Sequence, residues 1–378
     1  MYQSSSAPIL IFWQITFYVE INTSQSSSMT SSVRAFRIMN DSNRTDLANL
    51  RFVNKSLCRS ASARLFRHII AVAHSSYHNT QLPSLGRLVN LSNSPYAQYV
   101  HQVDIGYCSF PCSMQEVILY TEDFAALLSP CLRQFPNLKA LDFRGPPLAC
   151  LPHDKIKASI DSMLMSLCYV PLPNLTELEL QLPMTNDFAP LFAENISALR
   201  IPIEQTLNRL HHIGLHVYAQ TNQQSYVAYL LRIVELSTNL TSLSLSSTNY
   251  LSIDRLKLGS TVRLRCLSLR KVKISSRNLI NIIEQCNESL QYIEFRHVKI
   301  ESGTWREILP AMDSLLYLYD FDISIAETPA RSARIYSTRA PFVTGENVQD
   351  HYWLDHVAFQ NFKQRVKLKR AVARHFSC

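Results

Sequence analysis

Residues 239–245 read NLTSLSL and residues 263–269 read RLRCLSL. Each holds a trio of apolar residues at one spacing: Leu240-Leu243-Leu245, then Leu264-Leu267-Leu269. The last two members are two positions apart, so they leave an extended strand on the same side. The first, three residues earlier, suits the turn that leads into the strand. Upstream the trio recurs as Val100-Val103-Ile105, Leu138-Leu141-Phe143, Leu175-Leu178-Leu180 and Leu210-Ile213-Leu215. Downstream it recurs as Leu290-Ile293-Phe295 and, more weakly, Leu316-Tyr319-Phe321. Successive starts lie 38, 37, 35, 30, 24, 26 and 26 residues apart. Such recurrence predicts stacked strands, each closing its apolar layer only against its neighbours.

The gaps between trios carry helical patterns. Phe124, Leu127, Leu128, Cys131 and Leu132 precede one strand, and Ile156, Ile160, Met163, Leu164 and Leu167 precede the next. Tyr226, Tyr229, Leu230, Ile233 and Val234 form a third set. Leu279, Ile280, Ile282 and Ile283 form a fourth, after the N-cap candidates Ser275 and Ser276. A doubly wound sheet would alternate similarly, but it normally carries a glycine-bearing phosphate turn. This chain has seven glycines and no G-x-G-x-x-G or Walker loop. The expected fold is therefore α/β: a solenoid over residues 71–325 with a curved parallel sheet and helices on its convex side. The last three intervals match the roughly 20–29 residues of leucine-rich repeats.

Before the repeats, residues 46–70 read DLANLRFVNKSLCRSASARLFRHII. Leu47, Leu50, Val53 and Leu57 recur at spacings of three, three and four, the apolar face of a helix capped by Thr45 or Asp46. Leu65, Phe66, Ile69 and Ile70 predict a second short helix. Two such helices bury little alone and need a partner.

This segment resembles the second half of an F-box as found in fungal F-box proteins. The matching residues are Asp46-Leu47, Leu50, Val53, Cys58 and the run Leu65-Phe66-Arg67-His68-Ile69. The match is N-terminally incomplete, because no Leu-Pro-x-Glu-Ile stretch stands before Asp46. The repeats in turn resemble the irregular leucine-rich repeats that follow fungal F-boxes, with Leu85 to Ile105 as the bridge. The resemblance implies a substrate-recognition subunit of a Skp–cullin–F-box ubiquitin ligase. Leu47, Leu50, Val53, Leu57, Cys58, Leu65, Phe66 and Ile69 would meet the Skp-family adaptor of the cullin complex. The other reading of the helices is a cap closing the solenoid's N-terminal end.

The rest of the composition narrows the function. Nine scattered cysteines without a C-x-x-C read as reduced thiols, hence a cytoplasmic or nuclear protein. The net charge of +8 concentrates in residues 31–70 and 363–374, so no broad nucleic-acid surface is expected. Residues 9–19, ILIFWQITFYV, are too short to span a bilayer as a helix and lack a preceding basic residue. Residues 1–45 therefore read as a poorly ordered leader and linker. Residues 326–378 read as a C-terminal cap with the basic tail KQRVKLKRAVAR. No H-E-x-x-H or G-x-S-x-G occurs, and His74 and His78 have no further ligand at metal spacing. The expectation is a non-enzyme without cofactor or metal.

Binding is expected on the strand residues between the core positions. These are Glu177, Glu179, His211, His212, His216, Ser242, Ser244, Ser246, Arg265, Ser268, Arg270, Tyr292, Glu294 and Arg296. Of these, Glu177, Glu179, His212, Ser244, Ser268, Arg270, Glu294 and Arg296 are the expected contacts for a protein substrate. A repeat scaffold without a ligase and a secreted repeat protein are the competing readings. In the latter, sequons such as Asn174 and Asn239 would carry glycans.

Overall fold

The structure, a computed structural model, describes residues 47–48, 52, 55–73, 84–107, 114–145, 152–183, 188–192, 199–218, 224–318, 320–325 and 359–366. The chain divides into two compact units, Met1–Ala61 and Ser62–Cys378. In the first, the described residues are helical at 47–48 and from Lys55 onward, in helix α1 (Lys55–Leu65). The second unit carries the repeats.

Among the described residues nine strands form one sheet in chain order, and every neighbouring pair is parallel. They are β1 (His68–Ala73), β2 (Gln102–Tyr107), β3 (Ala140–Arg144), β4 (Glu177–Pro183) and β5 (His212–Tyr218). Then come β6 (Ser242–Ser252), β7 (Cys266–Ile274), β8 (Tyr292–Ile300) and β9 (Asp320–Ile325). A doubly wound sheet reverses its order at a switch point. Here each crossover moves to the next place in the sheet, giving a solenoid-like stack.

The crossovers carry α2 (Ser84–Ser92), α3 (Met114–Arg133), α4 (His153–Tyr169), α5 (Ala189–Phe192) and α6 (Ile203–Leu207). They continue with α7 (Gln224–Leu236), α8 (Ser276–Gln285) and α9 (Trp305–Asp313). The four helices expected from periodicity are α3, α4, α7 and α8. Ser275 caps α8, its hydroxyl accepting from the Asn278 amide at 3.2 Å. Between β6 and β7 the connection carries no helix, and Ile253, Leu256 and Val262 fill the layer instead.

Register places equivalent trio members side by side. One inward row runs Ile69, Val103, Leu141, Leu178, Ile213, Leu243, Leu267, Ile293, Phe321, buried throughout except for the half-buried Phe321. A second runs Ala71, Ile105, Phe143, Leu180, Leu215, Leu245, Leu269, Phe295, Ile323. The lead-in residues are locked by a backbone ladder. The amide of His101 donates to the Arg67 carbonyl, Lys139 to His101, Thr176 to Lys139 and His211 to Thr176. Thr241 then donates to His211, Arg265 to Thr241 and Gln291 to Arg265, all between 2.7 and 2.8 Å. Asn137 and Asn174 add side-chain bonds to the carbonyls of Gln98 and Pro136.

Two expectations are corrected. The second helix predicted over Leu65–Ile70 is absent: α1 ends at Leu65, and His68–Ala73 is β1. Phe66, Ile69 and Ala71 are buried and form a first trio at the same spacing as the others, making nine repeats. Phe66 stacks on Tyr96 at 4.6 Å. At the other end, Phe321 pairs with Ile293, so the last trio is Leu318-Phe321-Ile323. Leu316, assigned to it from sequence, is 72% exposed. A helix over 359–366, α10, closes this end. Phe359 packs on Trp305, Phe362 on Phe321, and Arg365 pairs with Asp313 at 3.2 Å. Among the described residues no helix is long and apolar enough to cross a membrane.

The corrected register has a measurable consequence. Leu318→Ala removes a buried trio member and should cost about 2–5 kcal/mol in urea unfolding. Leu316→Ala should change stability by less than about 0.5 kcal/mol. Equal effects of the two would reject the register.

Candidate functional site

The residues between the buried rows form the outer face of the sheet, and register sorts them into rows as well. The central row runs Asp104, Asp142, Glu179, Gly214, Ser244, Ser268, Glu294, Asp322. Beside it lies Gly106, Arg144, Gln181, His216, Ser246, Arg270, Arg296, Ser324. On the other flank lie His68, Gln102, Ala140, Glu177, His212, Ser242, Cys266 and Tyr292. Strands stand about 4.8 Å apart, so neighbouring side chains in a row interact.

Strands β2–β4 are acidic. Asp104 is buried, accepts from Gln102 Nε2 at 2.9 Å and lies 3.0 Å from His68 Nε2. Asp142 pairs with Arg144 at 3.1 Å. Burial pushes the Asp142 carboxyl up to about 6; Arg144 opposes the rise, while Asp104 and Glu179 add to it. Arg144 lies over Gly106, where a Cβ would approach its own Cβ to 2.7 Å. A Cβ on Gly214 would stand 2.6 Å from the Glu179 carboxyl, so that glycine leaves room for Glu179 to lean across β5. There Glu179 meets His212 Nε2 at 2.9 Å, and His212 Nδ1 meets the Ser242 hydroxyl at 2.9 Å.

Carboxylate, imidazole and hydroxyl in line are the parts of a nucleophile relay. Such a relay also needs donors aimed at a developing oxyanion. The backbone amides around Ser242 are engaged in the parallel ladder, as in the bond from Ser242 to the His211 carbonyl. The line ties β4, β5 and β6 together through their side chains. Among the described residues no group of three or more His, Cys, Asp or Glu is placed to hold a metal ion.

Strands β7 and β8 are basic towards their C-terminal ends, with Arg270, Lys271, Lys273, Arg296 and Lys299. Glu294, also buried, accepts from Ser268 at 2.9 Å and pairs with Arg296 at 2.7 Å. Arg296 bridges on to Asp322 at 2.6 Å. His216, bonded to Ser246, is held below its ordinary pKa by burial, then by Arg270.

All the residues expected to bind a substrate, from Glu177 to Arg296, lie in these outer rows. Asp104, Asp142, Arg144 and Asp322 occupy equivalent positions and were missed. The signal for them was present, since they stand at the same offset from their trios as Glu179 and Arg270 do. The residues expected to meet an adaptor scatter. Leu47 and Cys58 are half-buried. Leu50, Val53 and the side chain of Leu57 lie outside the described residues. Leu65 packs against the repeat core, while Phe66 and Ile69 are inside it.

No protein-family model matches this chain, and no curated protein matches it. Among solved structures it is similar to a Bacteroides fragilis protein, at 13% identity over 64% of this chain and 71% of that one, with a TM-score of 0.26. So loose a superposition carries no argument about fold or function.

The Asp142 shift predicts a pH dependence. A carboxyl raised from about 3.9 in the unfolded chain keeps its proton longer when folded. Its stabilising contribution is complete below pH 4 and is lost as pH rises towards about 6. Against Asp142→Asn, the wild type should lose on the order of 2 kcal/mol between these limits in urea unfolding. A constant difference would show that Asp142 titrates normally.

Proposed function

We propose that this chain is an irregular leucine-rich-repeat protein that holds another protein on the outer, concave face of its sheet. We propose further that it serves as the substrate-recognition subunit of a Skp–cullin–F-box ubiquitin ligase. The repeat reading rests on one observation: nine strands in chain order, each with the same trio in register. Such a stack presents rows of side chains over many strands and so suits recognition of an extended protein surface. Its contribution is positioning, with no bond chemistry of its own.

The ligase reading rests on the likeness of residues 46–70 to the second half of an F-box. Because Phe66 and Ile69 are spent inside the repeat core, adaptor contact falls to Leu47, Leu50, Val53, Leu57 and Cys58. That same burial favours a second reading, a repeat scaffold with no ligase connection. It gives two of the F-box-like residues a purely internal role. For the reading as a secreted repeat protein, Asn174 and Asn239 are poor glycan acceptors, since they donate their side-chain amides to the carbonyls of Pro136 and Asn208. A glycan on either nitrogen would disturb those bonds.

The test is recovery of a Skp-family adaptor by the full chain and by Leu50→Asp. Phe66 is left intact, because a charge there would unfold the first repeat. Recovery by the wild type and its loss in the variant supports the ligase reading. No recovery, or equal recovery by both, rejects it in favour of the scaffold.

A further inference from the structure

We infer that the C-terminal ends of β6–β8 bind an extended segment rich in aspartate and glutamate on a partner protein. The inference rests on the repeat-scaffold reading and names the chemistry of what that face holds.

It starts from two backbone outliers. Lys271 and His297 have φ of 51° and 54°, the left-handed region that a side chain with a Cβ occupies at a cost of about 1 kcal/mol. They sit at the same level on neighbouring strands, between the pairs Arg270–Arg296 and Lys273–Lys299. In a regular strand the core residue after Leu269 would be position 271, and after Phe295 position 297. The core instead takes Val272 and Val298, both fully buried. The irregularity thus releases Lys271 and His297 from the apolar layer beside Arg270 and Arg296. The same left-handed departure recurs in two adjacent repeats and sets a lysine and a histidine beside the arginine row, the kind of strained position that gathers at ligand-binding surfaces.

The charges there are unbalanced. Among the described residues Arg270, Lys273 and Lys299 have no carboxylate partner. Lys271 Nζ reaches only the Thr248 carbonyl, at 3.1 Å. Of the carboxylates nearby, Glu294 and Asp322 pair with Arg296, and Glu301 accepts from the Ser252 hydroxyl at 3.3 Å beside Lys273, so the excess of cations centres on Arg270 and Lys271. Burial together with these cations holds His216 and His297 below their ordinary pKa. Small hydroxyl side chains, Ser246 and Ser268, leave Arg270 uncrowded.

The layout selects among anions. Arg270 and Lys273 are three residues apart along β7, nearer than the roughly 10 Å of a regular strand because Lys271 between them is left-handed, with Lys299 one strand, about 4.8 Å, to the side. With Arg296 engaged by Glu294 and Asp322, the remaining cations are spread along two strands instead of being gathered on one point. Spaced carboxylates on an extended chain match this distribution. Asp104, Asp142 and Glu179 at β2–β4 repel such a segment and confine it to this end of the face.

The experiment uses the purified full chain, without adaptor, and labelled peptides of about ten residues, long enough extended to cover the patch. One alternates Glu and Ser, one is Ser and Gly only, and one carries a single phosphoserine; a uridine oligonucleotide of similar length is the fourth probe. The acidic peptide should bind on the order of tenfold tighter than the neutral one, less so above about 0.15 M salt. Arg270→Glu with Lys273→Glu should abolish that margin, and Arg270→Gln should reduce it with the fold unchanged by circular dichroism. The imidazole resonances of His216 and His297 should titrate at higher pH with the acidic peptide present, since its carboxylates offset the cations. Equal binding of acidic and neutral peptides, or retention by the double variant, overturns the inference. Tighter binding of the phosphopeptide or oligonucleotide overturns the assigned partner class. Because no adaptor is present, failure here leaves the ligase test untouched, and failure of that test leaves this one standing.

Discussion

The whole arrangement depends on the lock between successive lead-in segments. Each segment entering a strand hands its amide to the carbonyl one repeat earlier, from Gln291 back through Arg265, Thr241, His211, Thr176, Lys139 and His101 to Arg67. A parallel ladder slipped by one residue would turn every core side chain outward. With the lead-ins fixed, the two apolar rows must align, although the crossovers between them vary widely in length. The short β6–β7 connection and the long helical ones are accommodated on the far side without disturbing the register.

The outer face inherits its order from that lock. Side chains at one offset from the trio fall into rows whatever their identity, so charges distant in sequence become neighbours. Asp142 feels Asp104 and Glu179 because each lies one strand away, and its raised pKa follows from that crowding and from burial. Glycine enters the rows where a neighbour needs the space: Gly214 under Glu179 and Gly106 under Arg144. The result is a polar face with acid at one end and base at the other, the property on which any account of partner choice must draw.

Much of the fold was legible because a trio spaced three and two is a local signature that survives irregular spacing. Its failures came where the local pattern admits two readings. Leu65, Phe66, Ile69 and Ile70 fit a helix as well as Phe66-Ile69-Ala71 fits a strand, and alanine is a faint third member. Near the other end, Leu315, Leu316, Tyr317, Leu318 and Tyr319 offer several phases. Only pairing with β8 selects Leu318-Phe321-Ile323. Outward residues were recognised where the trio was strong, and Asp104 and Asp142 were passed over although their strands had been identified.

By itself the sequence determined that parallel strands recur, which side chains each strand buries, and where most of the intervening helices lie, because these follow from spacings within a few residues. Tertiary structure alone decided the contacts that cross repeats. The Glu179–His212–Ser242 line, the Arg296 bridge from Glu294 to Asp322 and the paired left-handed residues Lys271 and His297 all belong to this class. Each depends on residues 26–33 positions apart being brought side by side. No local propensity encodes such a distance; it is set only when the strands pair.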